Sequence, residues 1–119
     1  MDAELRAALV RCGTDIDEVM RRFSGDEALY VECLADFLDD RTAAELGDAL
    51  LARSWDEAFT AAHALKGLAG NMGFIPLFHA AAQMVTLIRA GRTGEASDMY
   101  AELIRCYNAV INTIRKNCE

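Results

Sequence analysis

The sequence holds a single proline, Pro76, among its 119 residues, and no Ser/Gly/Pro-rich stretch, acidic tail or low-complexity run. A second domain therefore has no linker to start from. Alternating runs of β-formers are missing too, so the chain reads as all-α. Its 53% hydrophobic content suits one compact domain over residues 1–119, with a core large enough to fold unaided.

No basic stripe is present either. The net charge is −7, and it is unevenly spread: residues 1–57 carry 15 acids against 6 bases, residues 58–119 only 4 acids against 6 bases. Nucleic acid and anionic membrane surfaces are bound through Lys and Arg, so neither is an expected partner. Cys12, Cys33, Cys106 and Cys118 form no C-x-x-C pair, and no His stands at zinc-finger spacing. The first residues, Met1 to Arg6, lack the basic start and apolar core of a signal peptide. Reduced thiols in a cytoplasmic protein are the expectation.

Charge is also absent from residues 67–88, a span long enough to cross a bilayer. Asn71, Pro76, His79 and Gln83 interrupt it, and Gly73 with Pro76 divides it into two shorter helices. It is expected to form core helices.

Residues 2–11 suggest a short helix ending near Gly13, and Thr14 to Asp17 open a second one through about Arg22. From Asp26 a longer periodic stretch carries Leu29, Cys33, Leu34, Phe37, Leu38, Leu46, Leu50 and Leu51 to about Arg53, with a bend around Asp40 to Thr42. Ser54 to Glu57 has the form of a capping box, which starts the next helix at Trp55. Gly73 can close that helix in a left-handed cap, and Pro76 suits the first turn of its successor, which runs to Ala90. Thr93 opens a last helix with Met99, Leu103, Cys106, Tyr107, Val110 and Ile114 at three-and-four spacing. Residues 26–119 thus suggest an antiparallel up-down four-helix bundle, with residues 1–25 adding two short helices at one end.

The helix from Trp55 carries more than a core needs. Taking roughly 100° per residue, Lys66, Gly67 and Gly70 fall within about 60° of the direction of His63. Ala58, Ala61, Ala62, Leu65, Leu68, Ala69 and Met72 form the opposite, core-facing stripe. Each glycine costs about 1 kcal/mol relative to alanine inside a helix. Their place away from the core suggests that they leave room for a partner's backbone or a bulky anion beside the imidazole. Lys66, one turn away, would stabilise negative charge on that imidazole. A neutral imidazole nitrogen is a competent nucleophile near neutral pH, since an unperturbed ring titrates at about 6.5. Phe59 and Asp56 share this face, and an aromatic beside an exposed histidine can anchor a partner; packing against the short helices would equally account for Phe59. His79, among Phe78 and three alanines, reads as a surface residue.

Other chemistries lack their parts. Neither histidine has a Glu three residues before it, as di-iron bundles require, and there is no H-E-x-x-H, G-x-S-x-G, P-loop or G-x-G-x-x-G. No metal site is expected. What remains for one accessible histidine with a cationic neighbour is transient covalent catalysis or carriage.

His63, Leu65, Lys66, Gly67 and Gly73 resemble the motif of the histidine-containing phosphotransfer (HPt) domains of multistep phosphorelays. The resemblance is specific over residues 62–77 and extends to the rest in length and helical layout. It implies an up-down four-helix bundle, His63 as phosphoacceptor, Lys66 balancing phosphoryl charge and Gly67 giving access. It further implies a cytoplasmic monomeric carrier, not an enzyme, that receives a phosphoryl group from a receiver-domain aspartate and passes it to another receiver. Response-regulator receivers and a hybrid sensor histidine kinase are the implied partners, with Mg²⁺ brought by the receiver and no cofactor in the carrier. Two positions depart from the family's pattern: Leu68 replaces a small or hydroxyl residue, and Val85, with Gln83 nearby, stands where many members have a glutamine facing the histidine. The competing expectation is a bundle that docks a receiver or other signalling protein without being phosphorylated.

Overall fold

The computed structural model describes residues 1–118; Glu119 and the Cys118 side chain, whose thiol was expected to be reduced, lie outside the described residues. Seven helices follow one another: α1 (Ala3–Arg11), α2 (Ile16–Arg22), α3 (Glu27–Asp39), α4 (Thr42–Leu51), α5 (Trp55–Met72), α6 (Ile75–Arg89) and α7 (Thr93–Cys118). No strand is present among the described residues; the one β-bridge joins Thr14 to Phe74. The chain is all-α, and its helices pack as a bundle: α5 lies against α4 and α6, and α7 lies against α6, α4, α3 and α1. At about 1.5 Å per residue, the 26 residues of α7 run nearly the whole 42 Å of the long axis.

Aspartates start three of the helices. Asp2, Asp15 and Asp26 accept from the amides of Leu5, Glu18 and Leu29 at 2.7, 3.2 and 3.0 Å, satisfying amides that have no partner inside the helix. The capping box expected at Ser54 does not form. Ser54 occupies the N-cap, but its hydroxyl caps no amide. The Ser54 amide that Glu57 would have to reach already donates to Ala49 at 2.9 Å, closing the end of α4.

The bend expected near Asp40 is a full break. Asp40 is extended (φ −71°, ψ 136°), and its carboxylate accepts from the Thr42 amide at 3.0 Å, so the chain leaves α3 and starts α4 afresh. Two residues expected inward on this stretch face water: Leu29 is 45% and Leu51 87% exposed. Tyr30 takes the inward position in place of Leu29 and is completely buried. Leu68, expected in the core stripe of α5, is only half-buried, whereas Ala58, Ala61, Ala62, Leu65, Ala69 and Met72 are buried as their spacing requires.

The α5–α6 corner concentrates the long-range contacts. Gly73 adopts φ 78°, and a left-handed cap follows in which the Phe74 amide donates to Ala69 (2.9 Å) and the Gly73 amide to Gly70 (3.3 Å). The uncharged run at residues 67–88 is divided there, and no helix of the described residues is long and apolar enough to cross a membrane. The carbonyls of the α5 end are taken by distant groups: the Tyr30 hydroxyl donates to Met72 at 2.8 Å, the Asp15 amide to Gly73 at 3.3 Å, and the Arg22 guanidinium to Gly70 and Asn71. Val19 packs where a Cβ on Gly73 would stand. Gly73→Ala is therefore expected to lower the unfolding free energy by about 2 kcal/mol or more, adding a left-handed-backbone penalty to displacement of Val19. Urea denaturation followed by circular dichroism measures it, and a loss within error would contradict the corner's rigidity.

Candidate functional site

Burial of Ala62 and Leu65 fixes the rotation of α5 so that His63, between them, faces outward. The imidazole is exposed and accepts no hydrogen bond from any described side chain. Its flank is aromatic: the Phe59 ring stacks on it with centroids 6.0 Å apart and planes at 28°. Arg89, at the end of α6, places its guanidinium carbon 5.2 Å from the Phe59 ring centroid, within reach of a cation–π attraction.

On the other side of His63 lies an open hollow of about 410 Å³. His63, Lys66, Gly67, Gly70 and Asn71 of α5 line it, with Arg22 entering from α2 and Phe78 from α6. The Lys66 ammonium stands 6.0 Å from the Phe78 ring centroid. The lining thus holds two permanent cations, one imidazole and no carboxylate, in a chain whose net charge is −7. Such a hollow favours an anion.

The two glycines of the stripe have different surroundings. A Cβ on Gly67 would meet nothing within 4 Å, so within this chain no contact explains the glycine, and it leaves the backbone open beside His63 and Lys66. Gly70, expected to keep the face accessible, is covered: a Cβ there would stand 3.1 Å from Cδ1 of Phe78, and the missing side chain is what lets the Phe78 ring lie on the helix. Phe59 is half-buried, packed against the core and placed between His63 and Arg89. Asp56 is exposed on the same helix face two turns earlier but lines a different hollow, between α4 and α5, with Glu45, Asp48 and Glu57. Val85 is buried, Gln83 is exposed, and neither lines the His63 hollow. His79 is exposed beside Phe78.

Arg22, Phe78 and Arg89 were not legible as site residues. Phe78 had an indirect signal, since a helical glycine facing a neighbouring helix implies a large side chain across from it. Arg22 had none, being 48 residues from the carbonyl it binds. Among the described residues, no three His, Cys, Asp or Glu side chains converge as a metal site would require.

Comparison with protein-family models matches the Hpt domain over residues 30–113. The chain belongs to the Hpt domain family. Comparison with curated proteins and with solved structures gives no match. Hpt domains are phosphotransfer carriers of two-component phosphorelays that interact with the receiver domains of response regulators, and they are helical bundles. The match takes in α4, α5 and α6 whole, and the histidine hollow apart from Arg22. It begins at Tyr30, so α1 and α2, with Arg22 and the segment that closes the α5 end, precede the matched Hpt region.

Gly67→Ala is expected to stabilise the Hpt fold by about 0.5–1 kcal/mol, because helix propensity improves and nothing is displaced. Gly70→Ala is expected to destabilise it by pushing Phe78 off the helix. Parallel urea titrations of the two variants measure both signs.

Proposed function

We propose that His63 is the phosphoacceptor of a phosphorelay carrier, which takes a phosphoryl group from a receiver-domain aspartate and passes it to the aspartate of another receiver. The observation that carries this reading is the exposed imidazole at the rim of a carboxylate-free hollow, on the helix of an Hpt-family chain, with Lys66 one turn away and an uncovered Gly67 backbone beside it.

In the transfer, the unprotonated ring nitrogen of His63 attacks phosphorus. The P–N bond forms as the P–O bond to the aspartyl carboxylate breaks, and the carboxylate leaves with the bonding pair. The other ring nitrogen keeps its proton, so no general base is needed in this chain. Lys66 balances charge on the phosphoryl oxygens. Gly67 lets the receiver's backbone come close, and Phe59, held between His63 and Arg89, gives the receiver a flat apolar contact. Asp56 extends the docking surface along α5. Mg²⁺ and the acidic groups that hold it belong to the receiver, so the carrier is not itself an enzyme and holds no metal or cofactor. In this reading residues 26–119 form an antiparallel up-down four-helix bundle in which α3 and α4 together take the place of the first helix, residues 1–119 act as one unit, and the protein is a cytoplasmic monomer served by a hybrid sensor kinase. The charges of half-buried Lys66 and exposed Arg89 suit a partner whose docking face is acidic.

Incubation with a receiver carrying ³²P-labelled aspartyl phosphate tests the proposal. The wild type is expected to take up acid-labile, base-stable label, and His63→Gln none. Equal labelling of the variant, or no uptake by the wild type from any receiver of the same organism, would leave a docking module without phosphoryl chemistry.

A further inference from the structure

The histidine hollow contains one cation that the Hpt match does not include. Arg22 reaches it from the last turn of α2. One terminal nitrogen, Nη1, donates to the carbonyls of Gly70 and Asn71, which anchors the guanidinium at the end of α5. The other, Nη2, faces Glu18 at 3.4 Å, and Nε has no partner among the described residues. Glu18 neutralises Arg22 only in part, because its carboxylate is held 2.6 Å from Arg21. That pair is also what chiefly lowers the Glu18 pKa, with Arg22 contributing less.

We propose that Arg22 is the second cation of the phosphoryl site, an anchored guanidinium whose charge acts across the hollow on a phosphoryl group carried by His63 and thereby makes α2 part of the transfer site. The proposal rests on His63 being the phosphoacceptor. A phosphoryl group brings about −1.5 to −2 charges, and Lys66 supplies a single positive charge on a flexible stem. Arg22 adds a second positive charge at the far end of the same hollow, about two helical turns from His63. It is also held in place before the anion arrives, since two helix carbonyls already fix it. The charged groups around the hollow are few. Arg22, with Glu18 behind it, faces it from α2, and His63 and Lys66 from α5; α6 contributes the neutral Phe78, with Arg89 farther off against Phe59.

The test uses the full chain and phosphoramidate as donor, so that no receiver is needed. The His63 ring nitrogen attacks phosphorus, the P–N bond to the donor's amine breaks, and ammonia leaves with the bonding pair and a proton from solvent. The phosphohistidine ³¹P resonance is then followed against pH, which reports the second ionisation of the phosphoryl group. A cation in the same hollow favours the dianion, so Arg22→Gln is expected to raise the midpoint by roughly 0.3 pH unit, and Arg22→Lys to keep it close to wild type. Glu18→Gln, which leaves every contact of α5 intact, is expected to lower it, and decides the matter if Arg22→Gln does not fold.

A midpoint unchanged in both Arg22→Gln and Glu18→Gln would overturn the proposal. So would equal shifts in Arg22→Gln and Arg22→Lys, since the effect would then follow the anchoring bonds and not the charge. Failure of the wild type to form phosphohistidine at residue 63 would instead overturn the proposed function.

Discussion

Backbone carbonyls at the end of α5 have to be satisfied before that helix can hold a histidine in the open. The last turn of any helix leaves carbonyls without intrahelical partners; here Met72 and Gly73 are buried where α5 packs against α2, α3 and α6, while Gly70 and Asn71 border the histidine hollow. Four different groups complete it: the left-handed turn at Gly73, the Tyr30 hydroxyl, the Asp15 amide and the Arg22 guanidinium. Two of these donors precede the matched Hpt region. The N-terminal segment is therefore bound to the same corner that ends one turn beyond the Gly67 face, and it holds the floor of the histidine hollow as well as the end of the bundle.

Charge is arranged on the same frame. Fifteen of the 19 acidic residues lie in the first 57 positions, yet the carboxylates of α4 and early α5 collect along a separate groove. Among the described residues, the charged groups that line the His63 hollow are Arg22 and Lys66, with Arg89 against Phe59 at its flank. An acidic protein thus presents a small cationic face where the proposed chemistry needs one, and the apolar ring of Phe59 sits at its edge. In the proposed function, the surrounding negative field would oppose unguided approach of an acidic partner and would confine docking to the face where the sign reverses.

The sequence made much of this legible, for identifiable reasons. Gly73 and Pro76 are conformational signals that act locally, and the α5–α6 corner they implied is present. The alternation of small apolar residues with His63, Lys66 and Gly67 gave the rotation of α5, because burial on one side dictates exposure on the other. Where expectations failed, competition from elsewhere in the chain was the cause. Ser54 cannot form its capping box because the end of α4 uses its amide, and Leu29 yields the interior to Tyr30, whose hydroxyl is drawn to Met72 across 42 residues. Gly70 showed the same ambiguity, since a missing side chain can mean open access or close packing, and only the position of Phe78 distinguishes the two. Arg22 was beyond reach because nothing local distinguishes an arginine that ends a short helix from one that crosses to another.

The dependence of the histidine site on the N-terminal segment is most directly examined by native-state amide hydrogen exchange. The Val19 amide, bonded within α2, and the Phe74 amide, bonded in the α5 cap, are the informative pair. If α2 and the end of α5 form one structural unit, both exchange only through the global unfolding transition, with equal protection free energies that fall together in denaturant. Rapid exchange at Val19 while Phe74 stays fully protected would show α2 detaching from an intact helix end, and would contradict the account.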